Sequence, residues 1–90
     1  MVNNFIKNTN NFELLQQVRT DLVGEIQAVN QYEQHYQSTN DPIAKQTWKN
    51  IKNDELTHIG QLLALWNYLD ASEQQLIEQG INEFMKIIKQ

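Results

Sequence analysis

The sequence predicts an all-α fold, in which an antiparallel helical hairpin is followed by a C-terminal helix. Apolar residues recur at alternating steps of three and four along two long stretches, which is the spacing of a packed helical face. The apolar–polar alternation that is typical of strands is nearly absent, and the one proline, Pro42, lies between the two stretches. With 90 residues, the chain is long enough for one domain, so we expect residues 1–90 to form a single unit.

Composition narrows the classes of function. A formal charge of -4 argues against a general nucleic-acid binder, and no apolar run approaches the roughly 20 residues of a membrane span. The N-terminus lacks the apolar core of a secretory signal, so we expect a soluble, cytoplasmic protein without a membrane partner. Because the chain has no cysteine, any metal must be bound by oxygen and imidazole ligands. A chain this small often gains stability from oligomerisation or metal binding.

The first helix is predicted over about residues 12–39. Residues 1–11 hold five asparagines, which favour turns and caps, so we expect a flexible arm there, with Asn10 or Asn11 as the helix N-cap. The helix carries a seam at alternating steps of three and four. Its members are Leu15, Val18, Leu22, Glu25, Val29, Tyr32 and Tyr36.

The second helix is predicted over about 42–69 and the third over about 73–89. Asp41 can cap the second helix and Pro42 suits its first position, and the short break makes the first two helices antiparallel. Ser72 with Gln75 fits a capping box for the third helix. The second helix also has a seam, which consists of Ala44, Trp48, Ile51, Glu55, His58, Leu62, Leu65 and Leu69.

Three ionisable residues interrupt these apolar seams. Glu55 and His58 form a Glu-x-x-His, and residues three apart share one face of a helix. Glu25 and Glu55 are about equally far from the turn, near residue 40 or 41, so the three side chains should converge at one level of the hairpin. Charges are rarely buried unless they are paired or bound to metal, which favours a metal site. The alternative is a polar core network, or a device that fixes the helix register.

One chain would supply half of a di-iron carboxylate site. Such bundles take one Glu from each of two helices and a Glu-x-x-His from each of two others. The remaining histidine, His35, has Tyr32 three residues before it, so it does not provide the second motif. The simplest completion is a homodimer with a twofold axis through the site. Its four carboxylates and two neutral imidazoles would balance the charge of two Fe²⁺, which couples metal binding to dimerisation.

The arrangement of Glu25, Glu55 and His58, in which Glu55 stands 30 positions after Glu25, resembles the encapsulated ferritins, a compact branch of the ferritin-like superfamily. The match runs from Glu25 to Leu69, and short rubrerythrin-like proteins are similar too. The resemblance implies a ferritin-like four-helix bundle of two chains and ferroxidase activity. Glu25, Glu55 and His58 become ligands of two Fe per dimer, and Tyr32 becomes a catalytic residue beside them.

The same resemblance implies larger assemblies, in which dimers form rings and a C-terminal tail docks them inside an encapsulin-type shell. The chain departs from the family in two places. Gly24 and Gln27 stand where the family has further acidic residues beside the first ligand, and no docking tail is evident before Gln90.

The sequence leaves other functions of the protein, and other roles of single residues, open. The site is also consistent with a rubrerythrin-type peroxidase, and a metal-free helical interaction module requires no site at all. Glu and His also serve Mn and Zn, so the metal is not settled by the ligand types. Tyr32 is equally suited to ordinary core packing. We expect His35 on the surface, and Gly24 and Gly60 either allow close helix approach or are merely tolerated.

Overall fold

The computed structural model describes the backbone of residues 2–90 and the side chains from residue 11 onward. Three helices follow one another: α1 (Val2–Ser38), α2 (Pro42–Leu69) and α3 (Ala71–Ile88). No strand occurs in this described range. The predicted all-α class is therefore confirmed.

α1 and α2 form the predicted hairpin, and its core lies near the end that is distant from the turn. Leu15, Val18 and Leu22 of α1 are buried together with Leu69 of α2. Four partly buried apolar side chains pack around them, namely Leu14, Ile59, Leu62 and Trp66. The seam positions predicted for this end are confirmed. The core is small, so much of the hairpin's apolar surface stays open to solvent.

The turn between α1 and α2 is stabilised by specific caps. The Asp41 carboxylate accepts a hydrogen bond from the backbone N–H of Ala44 at 2.9 Å, and Pro42 begins the helix, as predicted. On the other side of the turn, the Lys45 ammonium donates to the Tyr36 carbonyl at 2.7 Å and lies 4.0 Å from the centre of the Tyr36 ring. A cation at the end of α1 satisfies a carbonyl that the helix leaves unpaired.

Two predicted helix starts are corrected. α1 begins at Val2 rather than near residue 12, because asparagine lowers helix propensity by only a few tenths of a kcal/mol and does not stop a helix. Met1, also assigned to the arm, lies outside the described residues. Asn11 is not an N-cap; its amide donates to the Leu69 carbonyl at 3.1 Å and so caps the end of α2.

The second correction concerns α3, whose N-cap is Asp70 and not Ser72. The Asp70 carboxylate accepts from the backbone N–H groups of Ser72 at 3.1 Å and Glu73 at 3.3 Å. The Ser72 hydroxyl also donates to it, and this bond, with the backbone bonds, holds the pKa of Asp70 below its usual value. A carboxylate is the stronger acceptor at a helix N-terminus, so it displaces the hydroxyl from the capping role.

α3 projects away from the hairpin. None of its residues is buried, and the radius of gyration is 17.4 Å, whereas a compact chain of this length has about 12 Å. Its first turn is nevertheless held firmly. The Glu73 carboxylate accepts from the Arg19 guanidinium at 2.8 and 3.0 Å and from the Trp66 indole N–H at 2.7 Å. These bonds hold the pKa of Glu73 below its usual value. Within residues 2–90, no helix combines the length and the apolar character needed to cross a membrane.

Candidate metal centre

The three predicted ligands lie together at one level of the hairpin. Glu25 comes from the middle of α1, and Glu55 and His58 come from α2. His58 Nδ1 is 2.7 Å from Glu25 Oε2 and 3.1 Å from Glu55 Oε1. One ligand atom from each residue lies within 4.8 Å of the other two. Because the helices are antiparallel and joined by a short turn, the equal distances of the two Glu residues from that turn bring them side by side.

The three ligand atoms are arranged so that a proton or a cation can lie between them. Two carboxylates and an unprotonated ring nitrogen are all acceptors, and they attract one another only through a shared positive charge. Ligand atoms about 2.0–2.2 Å from one ion are separated from each other by roughly 3–4 Å. The observed separations, which do not exceed 4.8 Å, require only small side-chain rotations to reach that range. The donor set therefore fits a metal such as iron.

The burial of the three residues differs. The side chains of Glu25 and Glu55 are 20% and 18% exposed, so both carboxylates are partly removed from water, whereas His58 is 48% exposed. His58 lies at the edge of an open depression of about 700 Å³. Its lining consists of Thr20, Asp21, Gly24, Glu25, His58, Gln61, Leu62 and Leu65. Three residues of the predicted α2 seam, His58, Leu62 and Leu65, therefore line an open surface in the single chain.

Asp21 and Gln61 line this depression although sequence reasoning did not single them out. Asp21 lies four residues before Glu25, and Gln61 three residues after His58, so each shares a helix face with a predicted ligand. That spacing was the sequence signal by which Asp21 and Gln61 could have been predicted to lie beside Glu25 and His58. Gly24 also borders the depression, but a Cβ built there, or at Gly60, would meet nothing within 4 Å. Neither glycine serves a close approach of helices within the chain, because an added Cβ would have open space around it.

Tyr32 lies in an aromatic cluster rather than in the ligand group itself. Its ring stacks on Trp48 with 5.8 Å between centroids, and His35 lies 5.0 Å from Trp48. No hydrogen bond from Tyr32 to a ligand carboxylate is found among the described residues, so its role beside the site stays a prediction. His35 is half-buried in this cluster and not a surface residue, with its Nδ1 buried and unpaired. The sequence signal for the partial burial of His35 was its position three residues after Tyr32, which places both rings on the helix face that lies against Trp48.

Comparison with solved structures finds the encapsulated ferritin domain from Pyrococcus furiosus. It is 25% identical to this chain, with a TM-score of 0.81 over 84% of this chain and 78% of that chain. No protein-family model matches the chain, and no curated protein matches it in sequence. The structural match confirms the resemblance that Glu25, Glu55 and His58 indicated, and it gives the chain a ferritin-like helical fold.

Proposed function

We propose that the chain is an iron-binding ferroxidase, which oxidises Fe²⁺ with dioxygen at a di-iron site formed across a homodimer interface. The observation that carries the proposal is the convergence of Glu25, Glu55 and His58, whose ligand atoms lie within 4.8 Å of one another on an open face. An iron-related role is also supported by the ferritin-like fold and by the similarity to an encapsulated ferritin domain.

The half-complete ligand set supports the dimer. One chain offers two carboxylates and one imidazole, and the depression beside them is open to solvent. A twofold axis through this face would bring together four carboxylates and two imidazoles, which is the ligand count of a di-iron carboxylate bundle. Four negative charges match two Fe²⁺, so metal would remove the repulsion that otherwise opposes pairing. The exposed Leu65 gives this interface an apolar contact beside the ligands.

Each residue has a distinct task in this site. The Glu25 and Glu55 carboxylates are hard oxygen donors, and their charge favours the ferric over the ferrous state, because the higher cation charge is stabilised more. The chemistry supplied by bound iron is the transfer of one electron per Fe²⁺ to dioxygen. The His58 imidazole is a neutral ligand at the exposed edge of the site. Tyr32 is proposed to orient a ligand carboxylate once the second chain is in place.

The proposal is tested by native mass spectrometry of metal-free protein before and after anaerobic addition of Fe²⁺. The expected result is a shift to dimers, or multiples of dimers, that hold about one iron per chain. Masses that do not change, with no iron retained, would overturn the proposal in favour of a metal-free interaction module. The same titration with Mn²⁺ and Zn²⁺ establishes which metal the ligands prefer.

Oxygen consumption then tests the chemistry. The variants His58→Ala and Glu55→Ala should lose iron-dependent oxygen uptake yet keep their helices, as measured by circular dichroism. His35→Ala is the matched control, because it removes an imidazole outside the ligand group. Oxygen uptake by His58→Ala at the parent rate would show that the assignment is wrong. Replacing oxygen by hydrogen peroxide as the oxidant separates a ferroxidase from a rubrerythrin-type peroxidase.

We further propose that the protein acts in the cytoplasm as a ring of dimers that stores iron inside an encapsulin-type shell. The support is the similarity to a domain that is itself described as an encapsulated ferritin. Co-expression with an encapsulin-type shell protein provides the test. If the chain does not co-purify with the assembled shell, the proposal of shell residence fails, while the ferroxidase proposal is unaffected.

A further inference from the structure

Two aromatic rings stack on each other across the hairpin, on the turn side of the ligand group. Tyr32 of α1 and Trp48 of α2 lie 5.8 Å apart between ring centroids, with 25° between the ring planes. Both residues are partly buried, and we call them the stacked pair. In a chain without cysteine, phenol and indole rings are the side chains that lose one electron most readily, so the stacked pair can act as an electron donor.

The stacked pair lies at a short, regular distance from the predicted ligands. Tyr32 follows Glu25 by seven residues on α1, and Trp48 precedes Glu55 by seven residues on α2. At 1.5 Å per residue, both residues of the pair are displaced from the two Glu positions by about 10 Å along the hairpin. Seven residues are close to two helical turns, so each ring shares a helix side with the carboxylate of its own helix. Electrons tunnel through a packed protein interior over such a distance without a bonded path.

Neighbouring cations distinguish the stacked pair from two other aromatic rings of the chain. The Arg19 guanidinium lies 5.6 Å from the centre of the Trp66 ring, and the Lys45 ammonium lies 4.0 Å from the centre of the Tyr36 ring. A cation attracts the electrons of a ring and opposes the positive charge that oxidation produces there. In residues 11–90, whose side chains are described, no cation lies over either ring of the stacked pair. The stacked pair is therefore easier to oxidise than Trp66 or Tyr36.

We propose that Trp48, acting through Tyr32, supplies one electron for the reduction of hydrogen peroxide to water at the iron site. The inference rests on the proposed ferroxidase function, because two Fe²⁺ reduce one dioxygen to one hydrogen peroxide. Peroxide that then meets a single Fe²⁺ receives only one electron from it, and cleavage of its O–O bond would release hydroxyl radical. An electron from the stacked pair completes the reduction, so that both oxygen atoms leave as water.

Electrons and protons balance in this step. One H₂O₂ takes one electron from Fe²⁺, one electron from the stacked pair and two protons from solvent, and its O–O bond breaks to give two H₂O. The oxidised ring releases its own N–H or O–H proton to solvent and becomes a neutral radical. A later Fe²⁺ returns the electron, and solvent returns the proton. The sum is two Fe²⁺ oxidised for each peroxide, with no hydroxyl radical released.

The first test needs no iron. Azide radicals produced by pulse radiolysis take one electron from tryptophan in the metal-free protein, and absorbance follows the transfer of the radical to tyrosine. In a Trp66→Phe background, Trp48 is the one tryptophan that remains, since the chain has two. Adding Tyr32→Phe should slow this transfer severalfold, whereas adding Tyr36→Phe, the matched control, should leave it unchanged. Equal transfer rates with and without Tyr32 would overturn the inference.

The second test mixes Fe²⁺-loaded protein with hydrogen peroxide in the absence of oxygen. Electron paramagnetic resonance then measures protein radicals and spin-trapped hydroxyl radical. Trp48→Phe should release severalfold more hydroxyl radical than the parent, and Trp48→Tyr, which keeps an oxidisable ring, should return the release towards the parent level. Trp66→Phe is the matched control, because Trp66 stands eleven residues from Glu55, which is about 16 Å along the helix.

Failure of this inference can be told apart from failure of the ferroxidase proposal. If iron is retained and oxidised by peroxide, but the parent and Trp48→Phe release equal hydroxyl radical, the stacked pair is ordinary core packing and the inference is wrong. If Trp48→Tyr behaves like Trp48→Phe, although circular dichroism shows intact helices, the shape of Trp48 matters rather than its oxidation, and the inference is again wrong. If no iron is retained, both proposals fail.

Discussion

Replacing Glu55 by Gln should raise the stability of the metal-free protein and lower that of the metal-bound protein. In the metal-free chain, carboxylate oxygens of Glu25 and Glu55 lie within 4.8 Å of each other. At this distance and an effective dielectric near 20, two unit charges repel by about 3 kcal/mol. Solvent and His58, whose Nδ1 lies 2.7 Å from Glu25 and 3.1 Å from Glu55, offset part of this repulsion. We therefore expect the free energy of unfolding to rise by about 1 kcal/mol, or Tm by about 4–8 °C for a domain of this size. The Gln side chain keeps an acceptor for His58.

In the presence of metal the same change has the opposite effect. Free Fe²⁺ at 100 times its dissociation constant stabilises the parent by about 2.7 kcal/mol. Loss of a group that only supports a ligand weakens metal affinity by about 10–100-fold, so loss of a ligand itself should cost at least about 100-fold. At the same Fe²⁺ concentration, the Glu55→Gln variant would then gain only about 0.4 kcal/mol. The order of the two melting temperatures should therefore invert on addition of metal.

Anaerobic thermal unfolding followed by circular dichroism measures both effects. Asp54→Asn is the matched control, because it removes one negative charge next to Glu55 from an exposed side chain. This control should leave the Fe²⁺-induced rise in Tm at the parent value. If Glu55→Gln and the parent respond equally to Fe²⁺, Glu55 is not a ligand. If Glu55→Gln melts below the parent without metal, the two carboxylates do not repel in the way that the geometry implies.

Three further predictions concern other parts of the chain. Hydrogen bonds from Arg19 and Trp66 hold the pKa of Glu73 below 4.5. The stability that these bonds give is therefore present above pH 4.5 and is lost as the pH falls through the lowered pKa. Glu73→Gln should remove this pH dependence from thermal unfolding curves. Leu22→Ala, at a position that is 7% exposed, should cost about 2–4 kcal/mol in urea unfolding. Gly24→Ala should stabilise the metal-free helix by up to about 1 kcal/mol, because the added Cβ meets nothing within 4 Å. If a second chain covers this face, the same change should weaken metal-dependent dimers in native mass spectrometry.

The hairpin and the convergence of Glu25, Glu55 and His58 could be predicted because each depends on short-range regularities. The spacing of Leu15, Val18 and Leu22 defines one face of a helix without any reference to the rest of the chain. The convergence of Glu25 with Glu55 needed one additional fact, the position of the turn, which the proline-containing break supplied. Both predictions therefore required only helix periodicity and the antiparallel connection.

The features that sequence reasoning missed depend on contacts between distant residues. The direction of α3 is set by Glu73 through its bonds to Arg19 and Trp66, which lie 54 and 7 residues away along the chain. No spacing rule indicates which carboxylate will meet a particular guanidinium. The start of α1 was misjudged for a different reason, because asparagine-rich composition is a weak preference that a long helix overrides.

The position of the three predicted ligands beside an open depression links metal binding to dimerisation in the proposed site. His58→Ala should therefore abolish Fe²⁺-dependent dimerisation, as measured by native mass spectrometry. Because so few of the described side chains are buried within one chain, this contact should also raise the melting temperature as protein concentration increases.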